Sequence, residues 1–238
     1  MRRPLLSVVP VGLLLLTSAA AAHDYWLEAD GSDYLLFRGH RFSQHKGEAI
    51  VPYDSAIVQR VLCVTASGRT KRVTPEAVYP LRISGPCAAV LVEADSGHWT
   101  QTLLGTKNQP RNEVKGALRS WQAIEGVKLI ETWMPALERP LSDGLELVSR
   151  DDPRRLHPGD KLRLQVTWKR QPREGVAVAY DGSTRGMTGR DGRINIRLRH
   201  GGTQVISASI DEPSTEPGTD KLVRSAALIF ELPRWRQP

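Results

Sequence analysis

Six histidines are the residues of this chain best suited to chemistry, and the first of them falls at a telling place. Residues 1–22 read as a secretory signal. Arg2 and Arg3 form a charged start, Leu5 to Leu16 an apolar middle, and Ala20-Ala21-Ala22 a small-residue cleavage site. Cleavage after Ala22 leaves His23 as the first residue, followed by Asp24-Tyr25-Trp26. A terminal histidine offers a metal two nitrogens, its free α-amine and its imidazole Nδ1. The α-amine has a pKa of about 8, so a divalent ion can displace its proton at neutral pH. Cleavage one or two residues earlier would remove this chelate and leave His23 as the opening of a strand.

Further ligands are offered by the polar stretch Gly39-His40-Arg41-Phe42-Ser43-Gln44-His45-Lys46-Gly47-Glu48, which lies between strand-like runs where ligands are commonly mounted. His40 is the second ligand, and His45, His98 and Glu48 are candidates for a third. His40 and His45 are close in sequence, yet they converge on one ion only if the loop curls back. Imidazole suits nickel, cobalt, copper and zinc alike, so donor type does not choose the ion. Asp24 and Glu28 serve as outer partners of such a site or as plain surface acids. His157 before Pro158, and His200 before Gly201-Gly202, read as exposed turn residues. There is no Gly-x-Ser-x-Gly elbow, no His-Glu-x-x-His pair and no Gly-rich phosphate loop. The pattern therefore points to binding rather than catalysis.

These residues need a scaffold, and composition bounds it. Of 238 residues, 33 are Lys or Arg and 26 Asp or Glu, a net charge of +7 that falls when Arg2 and Arg3 leave with the signal. The bases are interleaved with acids, as in Lys169-Arg170-Gln171-Pro172-Arg173-Glu174, which argues for a solvated basic surface rather than a nucleic-acid site. After the signal no segment approaches the roughly 20 apolar residues of a transmembrane helix, so the expectation is a soluble, exported chain without a membrane span. Cys63 and Cys87 are the two cysteines. In an exported protein they read as a disulfide, worth roughly 3 kcal/mol for a loop of this length, with a two-cysteine soft-metal site as the competing idea.

The apolar residues recur mostly with period two between turn residues, which predicts strands. In the first half these are 34–38, 56–64, one within 73–83, 87–93 and 128–133. The run from Gly116 to Ile124 reads as either a helical turn or an extended excursion. Pro135, Pro140 and Gly144 cluster at a predicted boundary, giving a first domain over 23–142 that holds the candidate site and a second over 143–238. The second shows strands at 145–148, 162–168, 176–180, 194–199, 205–210 and 226–232, with an Asp191-Gly192 hairpin signal and a long loop over 211–220. Trp26, Trp99 and Trp133 are predicted core. The fold class expected is all-β, two antiparallel sandwiches, the second immunoglobulin-like or transthyretin-like.

Several segments resemble a known family. His23-Asp24-Tyr25-Trp26-Leu27-Glu28 resembles the mature start of domain-of-unknown-function family 4198, whose members are exported proteins described as periplasmic components of nickel or cobalt uptake. Gly39-His40, Pro52-Tyr53-Asp54, Gly97-His98-Trp99-Thr100-Gln101-Thr102, Asn108-Gln109-Pro110 and Glu113-Val114-Lys115-Gly116-Ala117 follow in the family's order. So do Leu145-Glu146-Leu147-Val148, His157-Pro158-Gly159-Asp160 and Thr188-Gly189-Arg190-Asp191-Gly192-Arg193. His98 stands where the family has an aromatic residue, Gln101 where it has Lys, and Ser55 where a Pro follows the Tyr-Asp pair. The resemblance implies a periplasmic protein that captures or delivers nickel or cobalt, with a membrane metal transporter as partner. Two rivals share the residues. One is a copper protein or oxidative enzyme, because a terminal histidine plus a second histidine resembles the copper histidine brace. The other is a structural or adhesive envelope module that binds no metal.

Overall fold

A computed structural model of the chain describes residues 24–40 and 48–233; the predicted signal segment, His23 and His45 lie outside the described residues. The first half supplies β1 (Asp24–Asp30), β2 (Asp33–Gly39), β3 (Val58–Val64), β4 (Thr70–Arg72), β5 (Leu81–Ile83), β6 (Ala89–Thr102), β7 (Gly105–Lys107) and β8 (Arg119–Ile130). The second supplies β9 (Glu146–Ser149), β10 (Lys161–Trp168), β11 (Gln171–Pro172), β12 (Ala177–Tyr180), β13 (Ser183–Met187), β14 (Arg193–Arg197), β15 (Gly202–Pro213) and β16 (Lys221–Leu232). No α-helix occurs among the described residues, and none of them form a helix long and apolar enough to cross a membrane. The protein is all-β.

Alternation along the strands builds three layers. A large sheet runs in the order β13-β12-β15-β16-β8-β6-β3-β4, with β7 also on β6. On β3, β6 and β8, Val61, Cys63, Val90, Val92, Val127 and Leu129 point to one face. There they meet Tyr25, Leu27, Tyr34, Leu36, Leu81 and Ile83 from the small sheet β1-β2-β5. The intervening residues Leu62, Val64, Leu91 and Ile130 point the other way. They pack with Leu162, Leu164 and Val166 of the third sheet, in which β10 lies between β11 and β14 and also pairs with β9. One period-two pattern thus feeds two cores, because successive side chains leave a strand on opposite faces.

One pairing goes beyond the expectation of antiparallel sandwiches. β16 runs parallel to β8 from Lys221↔Trp121 to Phe230↔Ile130, so strands from both sides of position 142 share a sheet. Strands buried on both faces read as continuous apolar runs, and Ala226-Ala227-Leu228-Ile229-Phe230 is such a run. A buried ion pair crosses the same line: Lys128 Nζ lies 2.6 Å from Glu146 Oε1, with 2% and 1% of the side chains exposed. The second carboxylate oxygen of Glu146 accepts from the backbone N–H groups of Leu141 and Ser142.

Element boundaries differ from the sequence expectation in several places, among them β6, which runs on to Thr102. The segments 116–124 and 128–133 join into one strand, β8, which continues through Glu125-Gly126 because both neighbours, β6 and β16, keep its hydrogen bonds satisfied. Within 73–83 only β5 is a strand, with one isolated bridge from Glu76 to Arg82. The loop predicted over 211–220 shortens, because β15 and β16 extend as a long hairpin to Pro213↔Lys221.

Cys63 and Cys87 form the disulfide, with Cα atoms 5.5 Å apart, so they are not a soft-metal pair. The bond fits an oxidising, extracytoplasmic compartment. Tyr34 of β2 reinforces it: its hydroxyl donates to the Cys87 carbonyl at 2.7 Å and accepts from the Cys87 N–H at 3.1 Å.

Candidate functional site

Of the predicted ligands that can be described, His40 and Glu48 lie at the open end of the β1–β2 pair. Its register ends at Asp24↔Gly39. Gly39 has φ 155°, and a Cβ there would lie 2.2 Å from the Ala49 carbonyl oxygen, so only glycine admits the chain that returns from the loop. That return is held by backbone bonds. His40 N–H donates to the Glu48 carbonyl at 3.2 Å, and Val51 N–H donates to the Arg38 carbonyl at 2.7 Å. His40 is therefore fixed at the neck of the loop, half-buried, with its Nδ1 out of contact with solvent.

Beneath this end lies a cluster of polar side chains brought together by the fold. Tyr25 and Arg38 are cross-strand neighbours on the inner face of the small sheet. The Arg38 guanidinium carbon sits 5.8 Å from the Tyr25 ring centre and 5.5 Å from that of Trp99, within range of cation–π attraction to both. Trp99 on β6 faces Trp121 on β8 in the register. Alternation along β8 from Trp121 through Ala123 brings Glu125 to the same inner face. Its carboxylate accepts from Ser96 Oγ at 2.7 Å. Burial pushes the Glu125 carboxyl up to about 7, against the pull of the Ser96 hydrogen bond and Arg38, while Asp24 and Asp95 push it further up. The Tyr25 hydroxyl is buried without a hydrogen-bond partner among the described residues, and burial together with Glu125 raises its pKa. A carboxyl that changes charge near neutrality, a half-buried cation and a buried hydroxyl thus lie close under the start of β1. The arrangement can hold or release a proton and can set a negative charge beneath the end of the strand pair.

The other candidates are placed elsewhere. His98 follows the β6 bulge, and alternation turns it to the face opposite Trp99; its Nδ1 lies 2.7 Å from Thr219 Oγ1. Glu28 accepts from Trp26 Nε1 at 2.8 Å and Asp24 is exposed. His157 sits in an exposed turn with its Nδ1 3.3 Å from Asp160 Oδ2. The exposed His200 is bonded to the Gly201 carbonyl and to Asp181, and both raise its pKa. Trp26 and Trp121 are buried, whereas Trp99 and Trp133 are partly so. Among the described residues no three His, Cys, Asp or Glu side chains are arranged to hold an ion. A separate cleft of about 670 Å³ is lined by Arg60, Arg139 and Arg170 and contains none of the predicted ligands.

No protein-family model matches the chain, and no curated protein matches its sequence.

Proposed function

We propose that this is an exported protein that binds a divalent transition ion through His23 and His40 and passes it to a membrane transporter, nickel or cobalt being the ion to test first. The observation that carries the reading is the β1–β2 register. Its last pair is Asp24↔Gly39, and the residues immediately beyond are His23 before one strand and His40 after the other. The fixed neck at His40 and the buried Glu125 carboxyl beneath the strand end support it. The first holds the His40 backbone in place, which lowers the chain freedom lost on binding, and the second supplies negative charge above neutral pH. The resemblance of the His23 segment and Gly39-His40 to the nickel- and cobalt-associated family names the ions. His45 and Glu48 are the further donors closest in sequence.

Calorimetric titration of the exported form with nickel, cobalt, copper and zinc tests this. Tight binding of one ion is expected, lost at least a hundredfold in both His23→Ala and His40→Ala. Saturation at a hundred times Kd should also stabilise the fold by about 2.7 kcal/mol. Undiminished binding in both variants, or no binding of any of the four ions, would overturn the proposal.

A further inference from the structure

A second feature lies far from these histidines, at the tip of the β6–β7 hairpin. Thr102 pairs with Gly105, so the connection is two residues long, and those residues are Leu103 and Leu104. Two-residue hairpin loops favour Asn-Gly or Gly-rich pairs; a pair of leucines is the opposite choice for a solvated turn. Their exposures are 89% and 99%, the highest of the large apolar side chains among the described residues. Leu118, 55% exposed, borders the hairpin near its tip, its N–H donating to the Gln101 carbonyl at 2.8 Å. The turn is held rigidly. Thr102 Oγ1 accepts from Leu104 N–H at 3.1 Å and donates to the Gly105 carbonyl at 3.0 Å, while Gly105 takes the positive φ of 130° that a side chain would resist. Single exposed leucines are ordinary on protein surfaces, but two adjoining ones on a braced turn, with a third bordering it, mark an interaction site.

The charge around the tip selects the partner. From Leu103 to Arg119 the chain carries Lys107, Arg111, Lys115 and Arg119 against one acid, Glu113. Arg111 is paired with Asp220, whereas Lys107 and Lys115 are exposed and make no ion pair among the described residues. Apolar side chains at the apex with cations set behind them match the layering of a bilayer surface, acyl chains below and anionic headgroups above. We propose that the Leu103-Leu104 hairpin, with Leu118, is a docking tip that inserts into the interface of an anionic lipid bilayer. It would hold the exported protein against a membrane without spanning it.

Co-sedimentation with vesicles tests the assignment. The protein released by an exporting host is used, so that the apolar segment 5–16 does not contribute, and its first residue is checked by mass spectrometry. Wild type is expected to bind vesicles rich in phosphatidylglycerol and to bind pure phosphatidylcholine at least tenfold more weakly. The L103S/L104S variant should lose at least tenfold in affinity for the anionic vesicles while keeping its melting temperature. K107Q/K115Q should bind less tightly and with a flatter salt dependence. Equal binding by wild type and L103S/L104S would overturn the proposal. So would absence of binding to anionic vesicles, or a dimer of the wild type that the leucine substitutions dissolve.

Discussion

Glu125 is the residue whose chemistry depends most on the fold. Its carboxyl is raised from an ordinary value of 4.5 to about 7, chiefly by burial. The folded protein therefore keeps a proton that the unfolded chain gives up between those two values. Stability should be fully present below about pH 4.5, fall as pH rises toward about 7, and level off above it. At about 1.4 kcal/mol per unit, the loss amounts to at most about 3.5 kcal/mol. Glu125→Gln keeps the shape and the Ser96 contact but carries no titrating proton. Denaturant unfolding from pH 5 to 8 should show the variant gaining on wild type by up to that amount as pH rises, and parallel curves would contradict it. His200 also has a raised pKa, held up by the Gly201 carbonyl and Asp181, but it is common to both proteins and cancels in the comparison. His40 was legible from sequence as a histidine in a polar loop. Glu125 was not, because reading 116–124 and 128–133 as separate segments hid the fact that it shares a face with Trp121, Ala123, Val127 and Leu129.

At the scale of elements, the β1–β2 pair positions the candidate site, and Gly39 is its critical point. A methyl group there would meet the Ala49 carbonyl oxygen at 2.2 Å, forcing apart the strand end and the returning chain. Gly39→Ala should therefore weaken ion binding at least tenfold and lower the melting temperature, although it removes no ligand. Circular dichroism and titration on the same sample would check this, and an unchanged affinity would show that the neck does not position His40. The strands themselves were readable where one face is wet: β10 alternates buried Leu162, Leu164 and Val166 with exposed Lys161 and Arg163. Boundaries were less readable in β8 and β16, where layers on both sides bury the strand and the alternation of polarity fades.

The whole molecule is tied together across the middle of the chain. Leu62, Leu91 and Ile130 share a core with Leu147, Leu164 and Phe230, β16 completes the edge of β8, and Lys128 finds its counter-charge in Glu146. Removing either half would expose a strand edge, open a core and strand a buried charge, each strongly destabilising. Scanning calorimetry should give one cooperative transition with equal calorimetric and van't Hoff enthalpies. Two resolved transitions would show that the halves fold independently. The Pro- and Gly-rich segment near 142 is plain in the residues, whereas the parallel pairing is not, because sequence distance carries no trace of which edge a late strand will join. The proposed membrane tip also belongs to this scale, since a protein held at a bilayer would deliver an ion where a transporter can take it.

The terminal α-amine distinguishes this account from any other way of using the same histidines. Two exported forms should be titrated with nickel, one beginning at His23 and one that retains Ala22, after mass spectrometry has fixed both starts. Ala22 leaves every side chain in place and removes only the free amine of His23 from chelation. The form beginning at His23 should bind at least a hundredfold more tightly, with the two forms melting at the same temperature without metal. Equal affinity of the two forms would contradict a site built on the terminal histidine.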